Sequence, residues 1–201
     1  MNNPSYENEE VIVVDGDNSS TLKNIKNPNV IQVNSIKGRA NQMNAGTSVA
    51  SGEIFLFLHA DTILPDNAFE MIRKFCDGDI KAGAFDLSFS NNSLVFKVIA
   101  FTASLRSRLT KLPYGDQAIF IQKDIFNEIG KYENITLMED VNLMQKIKKS
   151  KYQIKIFQEK VITSSRKWET KGIIYTTLRN WILISLYFFK IDPNKLEKYY
   201  K

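Results

Sequence analysis

Hydrophobic positions in the first third of the chain fall in short unbroken runs, not in alternation. Val11 to Val14 and Ile54 to Leu58 are such runs, the second within a strand expected over Glu53 to Leu58, and Val30 to Val33 is a third, broken only by Gln32; each is closed by polar or turn-forming residues. Continuous apolar runs of this length predict strands buried on both faces. Between them, Thr21 to Lys26 predicts a short helix. Gly38 to Ala50 predicts a longer one, ended by Ser51-Gly52. Pro65 suits the first residue of the next helix, with Asp66 and Glu70 in its acidic first turn. Alternating strand and helix predict an α/β domain with a mostly parallel central sheet.

Later strands are fewer: Ala82 to Ser90, Ala118 to Gln122 and Gln153 to Phe157. Helices are expected at Ser93–Leu109, Lys123–Ile129 and Glu139–Lys149. A long one follows at Glu169–Phe189, and a short last one begins at Pro193. Residues 1–9 read as a polar arm. No internal repeat or low-complexity linker interrupts the pattern, so 10–201 reads as one domain.

Composition changes this picture little. The 201 residues are 43% hydrophobic and 24% charged, an ordinary globular balance that excludes collagen-like, coiled-coil and disordered classes. The formal net charge of +5 suits contact with phosphates or an anionic surface without requiring either. The basic residues are scattered and no nucleic-acid module is present, so no nucleic-acid partner is expected. Cys76 is the single cysteine and sits among apolar neighbours, which reads as a core thiol in a reducing, cytoplasmic setting. The first ten residues are polar and acidic, unlike a signal peptide. The apolar stretch Ile173 to Phe189 is interrupted by Arg179 and Asn180 and falls short of the roughly 20 residues a spanning helix needs.

The chemistry gathers at strand ends. In parallel α/β sheets ligands bind beyond the carboxyl ends of the strands. Val14 is followed there by Asp15, and Leu58 by His59-Ala60-Asp61. An Asp and a His at one rim can share a metal ion that phosphates complete; the plain alternative for Asp61 is a helix cap. In LMEDVNLMQKI, Glu139 and Asp140 open a helix, either as dipole partners or as a general base for a hydroxyl. In KGRANQMNAGTSVASGE, Arg39 and the amides of Asn41, Gln42 and Asn44 offer donors at a helix N-terminus, suited to phosphate or to a solvated face. In LPYGDQAIF, Tyr114, Asp116 and Gln117 lie in a loop before a strand, where substrate contacts gather.

Together these segments resemble the family 2 glycosyltransferases of the GT-A fold, and within them a bacterial subgroup of small glycosyltransferase-like transferases. The resemblance is carried by VIVVDGDNSS, GRANQMNAGTSVASGEIFLFLHADTILP, YGDQAIFIQKDIFNEIGKY, LMEDVNLMQKIKK and SSRKWETKGIIYTTLRNWILISLYFFKIDPNKLEKYY, in that order. It covers the chain from about Glu10 onward.

The resemblance implies a three-layer GT-A-like sandwich, N-terminally shortened. Residues 10–80 would be the nucleotide-binding half, and 81–201 the acceptor half with the C-terminal helices. It implies an inverting transfer of a hexosyl group from a UDP- or GDP-linked sugar to an unidentified acceptor hydroxyl. Asp15, Arg39, Asp61, Asp116 and Gln117 would contact the donor. His59 and Asp61 would hold Mn2+ or Mg2+. Asp140, with Glu139, would be the base, and Arg166 and Trp168 belong to a C-terminal motif that closes over substrate.

Two departures stand out. The strand that usually opens the family's sheet is not recognisable before Val11, and His59 replaces the first carboxylate of the Asp-X-Asp metal motif. The first departure supports an alternative, a catalytically inactive remnant used for binding, and leaves strand edges that a homodimer would cover. A third expectation concerns place. Arg179, Lys190, Lys195 and Lys198 flank the apolar tail, which suits a peripheral helix at the inner membrane face with a lipid-linked acceptor. The favoured reading is a core helix packed on the sheet.

Overall fold

The structure, a computed structural model, describes residues 9–17 and 21–200. Most of the expected polar arm, residues 1–8, lies outside them. Glu9 forms an ion pair with Arg73, and Glu10 accepts the Ser51 backbone N–H at 2.9 Å.

The strands are β1 (Val11–Asp15), β2 (Val30–Asn34), β3 (Ile54–Phe57), β4 (Thr62–Ile63), β5 (Ile80–Phe89), β6 (Ile119–Gln122) and β7 (Gln153–Thr163). The helices are α1 (Arg39–Val49), α2 (Ala68–Cys76), α3 (Leu94–Thr110), α4 (Lys123–Glu128), α5 (Glu139–Lys149), α6 (Arg166–Lys171), α7 (Ile173–Phe188) and α8 (Pro193–Tyr200).

Five strands form one sheet in the order β3-β6-β5-β7-β4. Its strands β3, β5 and β7 run the same way. The sheet is nonetheless mixed, because β6 lies antiparallel between β3 and β5, and the short β4 returns antiparallel along β7. β1 and β2 pair in parallel as a separate two-stranded sheet. Among the described residues β1 and β3 each have one edge unpaired.

Helix α1 joins the two sheets. Ala40 is buried in the cluster that holds Phe55, Phe57 and Tyr132. On the other side, a Cβ on Gly46 would lie 3.1 Å from a Val14 methyl. Gln42 Nε2 donates to the Val14 carbonyl at 3.2 Å. Asn44 Nδ2 donates to the Tyr132 carbonyl at 2.9 Å and Asn44 Oδ1 accepts the Tyr132 N–H at 3.2 Å. Two of the three amides expected to face a phosphate, Gln42 and Asn44, thus hold α1 in place.

The second face of the sheet is closed by α2 and α3 over Phe85, Phe89, Phe120 and Phe157. Phe120 and Phe157 stack with centroids 5.5 Å apart. Cys76 is buried here, and burial pushes its thiol up to about 11, as expected for a core thiol.

Several expected boundaries moved. Thr21–Lys26 forms only a single 3-10 turn at Leu22–Asn24. The helix expected at Pro65 begins at Ala68, after a turn in which Ala68 N–H donates to the Pro65 carbonyl at 3.0 Å. The long helix expected from Glu169 is two helices, because Gly172 takes φ 90 between α6 and α7, a backbone region open to glycine. No helix among the described residues is long and apolar enough to cross a membrane.

Candidate functional site

One cleft opens at the carboxyl ends of β3 and β7, beside the turn that enters β6 and the start of α5. It encloses about 160 Å³. From the first half of the chain it takes Arg39, His59 and Asp61. The β6 turn adds Tyr114, Gly115 and Asp116, and the start of α5 adds Met138, Glu139 and Asp140. The far wall is Ser164, Lys167, Trp168 and Asn180.

Asp140 is the best-held carboxylate. Its Oδ2 accepts the Gly115 N–H at 2.6 Å and its Oδ1 accepts the Val141 N–H at 2.7 Å. Both bonds come from backbone, so the carboxylate is aimed without a flexible partner. Met138, one residue before the helix, sits at φ 65. A non-glycine residue there is strained, and the strain delivers Glu139 and Asp140 together into the cleft.

Glu139 is buried and lies 3.6 Å from the Arg39 guanidinium. Burial, then the charge of Asp140, pushes its carboxyl up to about 7, against the pull of Arg39. Asp116 follows the same logic. Its Oδ1 is sealed from solvent without a hydrogen-bond partner among the described residues. Burial, then Asp140, raises it to about 6.

His59 leans on the backbone of Gly115, where a Cβ would fall 2.9 Å from its Nε2. That nitrogen is sealed and has no hydrogen-bond partner among the described residues. Burial, then the Arg39 charge, lowers the imidazole's affinity for a proton, so it is neutral near pH 7. A neutral imidazole with an orphaned nitrogen, beside the exposed carboxylate of Asp61, fits a divalent cation. Among the described residues no three His, Cys, Asp or Glu side chains gather as a set that could hold a metal ion.

Two expected donor contacts lie elsewhere. Asp15 is buried at the end of β1 and outside the cleft. Its oxygens accept the N–H groups of Asp17 at 2.8 Å and Thr21 at 2.9 Å. The Thr21 bond first, then that of Asp17, holds its carboxyl below the usual range. Gln117 is fully buried, accepting from Ser107 Oγ at 2.6 Å and donating to the Phe85 carbonyl at 2.8 Å. It orders the β6 turn from behind.

Sequence reasoning missed Arg106, whose guanidinium lies 3.5 Å from the Tyr114 ring centroid and opposes the rise at Asp116. It shares α3 with Lys97 and Arg108, so its place in the sequence did not single it out. Asn180, on the apolar tail, was also missed as a cleft residue.

Comparisons with known proteins bear on the family and the fold. The family model described as "Glycosyl transferase family 2" matches residues 1–133. No curated protein matches the chain. Among solved structures, the fold is similar to the mannosyltransferase PcManGT from Pyrobaculum calidifontis, solved in complex with GDP-Man and Mn2+. The two share 16% identity and a TM-score of 0.55, over 78% of this chain and 47% of that one. The chain therefore spans about half the length of that protein, and the likeness carries the GT-A-like fold.

Proposed function

The chain belongs to glycosyl transferase family 2, and from that premise we propose that it moves a sugar from a nucleotide-diphospho-sugar to an acceptor hydroxyl, with inversion. The observation that carries the reading is the convergence of Arg39, His59, Asp61, Asp116, Glu139 and Asp140 on one cleft.

In this reading Asp140 takes the proton of the acceptor hydroxyl. The acceptor oxygen bonds to the anomeric carbon as that carbon's bond to the diphosphate oxygen breaks. Fixed backbone bonds to Asp140 keep the base in position for that attack. Arg39 faces the donor's phosphates while neutralising Glu139. Residues 10–80 supply the donor side and 81–201 the acceptor side. The cleft is smaller than the roughly 300–1,000 Å³ of a whole-ligand site, so it suits the diphosphate-sugar end of a UDP- or GDP-linked donor. His59 and Asp61 would hold the metal, which when bound neutralises the leaving diphosphate. Imidazole favours Mn2+ over Mg2+.

A thermal-shift series with UDP and GDP, with and without Mn2+ or Mg2+, tests the donor site. Stabilisation that needs nucleotide and metal together, and that is lost in His59→Ala, supports the proposal. A flat response in every condition overturns it.

The alternative, a binding module without turnover, is favoured by one observation: Asp15 is occupied by its own turn on a sheet that stands apart. Donor binding without any sugar transfer or hydrolysis would select it.

A further inference from the structure

The tail helix expected to be core is mostly bare. Only Thr176, Arg179 and Leu183 of α7 are buried. Its open face carries Ile174, Leu178, Trp181, Ile182 and Phe188, followed by Phe189; Trp181 is 64% and Phe189 81% exposed. Arg179 is the one charged residue of α7, and it is buried. Helix α3 repeats the pattern with Leu94, Val98, Phe101, Leu105 and Leu109, and Phe101 is 66% exposed.

The two faces meet. Val95 of α3 and Ile173, Ile174 and Tyr175 of α7 line one apolar hollow. Trp168 lines this hollow and also the cleft that holds Asp140. One indole therefore separates an apolar surface from the site of the chemistry.

Charge selects the occupant. From Arg166 to the last residue there are eight Lys and Arg against three Asp and Glu, so this segment carries the whole chain's excess of +5. Lys97, Arg166, Lys171, Lys190, Lys195 and Lys198 are all exposed, beside or between the apolar stripes. Apolar faces rimmed by cations suit the interface of an anionic bilayer, where aliphatic and aromatic side chains sink and lysines meet headgroups.

We infer that the α3–α7 face seats on an anionic lipid surface and that the hollow behind Trp168 admits an apolar chain. The acceptor is then an amphiphile whose head reaches past Trp168 to Asp140. This rests on the transferase reading.

The test uses the full chain with vesicles of phosphatidylcholine alone or mixed with phosphatidylglycerol. The protein floats with the mixed vesicles, and a Trp181→Ser, Phe189→Ser variant with an unchanged circular dichroism spectrum loses about tenfold or more in partitioning. The chain has two tryptophans, so Trp181→Phe leaves Trp168 as the only indole. In that variant, lipids brominated on their acyl chains quench the fluorescence.

Three results overturn the inference: no flotation at low salt, wild-type flotation of the double variant, or a floated Trp181→Phe protein whose Trp168 is not quenched. So does a dimer in solution that the same double variant dissociates, since the face would then belong to a second copy. Nucleotide and metal binding measured without vesicles decides the transferase reading separately. A protein that binds donor but never floats keeps that reading and loses this one.

Discussion

Asp140 accepts its shortest hydrogen bond from the backbone of Gly115, 2.6 Å away and 25 residues earlier in the chain. The same glycine leaves the space into which His59 leans. The acid and the imidazole are thus positioned by one backbone unit that bears no side chain.

Gly115→Ala should therefore disable the site without unfolding the protein. The added Cβ would lie 2.9 Å from His59 Nε2, forcing the imidazole out of place, while Asp140 Oδ2 at 3.6 Å stays in ordinary contact. A displacement of this kind costs on the order of a hundredfold in turnover. The check is steady-state kinetics beside a melting curve, with Asp140→Asn as the reference for loss of the base, expected at roughly 10²–10⁴-fold.

Stability should fall as pH rises through the carboxylate range. Glu139 and Asp116 have folded-state values of about 7 and about 6, above their unfolded values of 4.5 and 3.8. In that window the native state binds more protons than the unfolded chain, so each added unit of pH favours unfolding. Urea denaturation at several pH values between 4 and 8 measures the slope. Asp116→Asn should flatten it and stabilise the protein near neutrality by on the order of 1–2 kcal/mol.

Much of the site was legible because its residues sit where unbroken apolar runs stop. Ile54 to Leu58 reads as a buried strand, and His59 and Asp61 follow it to the rim. Glu139 and Asp140 likewise open a helix with a clear apolar face. What stayed hidden depended on partners distant in sequence. Nothing local tells that Gln42 will bond the Val14 carbonyl or that Asn44 will bond the backbone of Tyr132. The direction of β6 is equally invisible, since its apolar run reads alike whichever way it pairs. The apolar face of α7 misled for the opposite reason: hydrophobicity in sequence implies burial, while here it marks a surface.

Asp86 and Arg108 should prove strongly coupled. Asp86 is buried on β5, and Arg108 on α3 grips it with two hydrogen bonds, from Nε at 3.0 Å and from Nη2. Arg108→Leu leaves a buried carboxylate without its partner and should cost about 3–5 kcal/mol. Adding Asp86→Asn to that variant should return part of the loss. Chemical denaturation of the four members of the cycle gives the coupling directly.

Gly83→Ala is expected to be among the most damaging single-methyl additions in the chain. Its Cβ would fall 2.2 Å from the Lys155 carbonyl oxygen and 2.4 Å from the Phe120 ring, at the point where β5, β6 and β7 run side by side. Overpacking costs about 1–3 kcal/mol where a core can adjust; a backbone carbonyl held in a ladder adjusts little. The melting temperature reports the outcome, with the fully buried neighbour Ala82 changed to Gly as comparison.

The small sheet has a further consequence, for cooperativity. Of the ten residues of β1 and β2, only Asp15 is buried, and α1 is the main bridge between this pair and the rest of the molecule. A unit with so little buried surface opens at a lower free energy than the five-stranded sheet, so amide protons of Val11 to Val14 should exchange well before those of Ala82 to Phe85. A donor whose base rests against β1 would then be captured by the least rigid part of the fold. Occupancy would slow that exchange, making the ordering of one hairpin-sized unit part of the binding equilibrium itself.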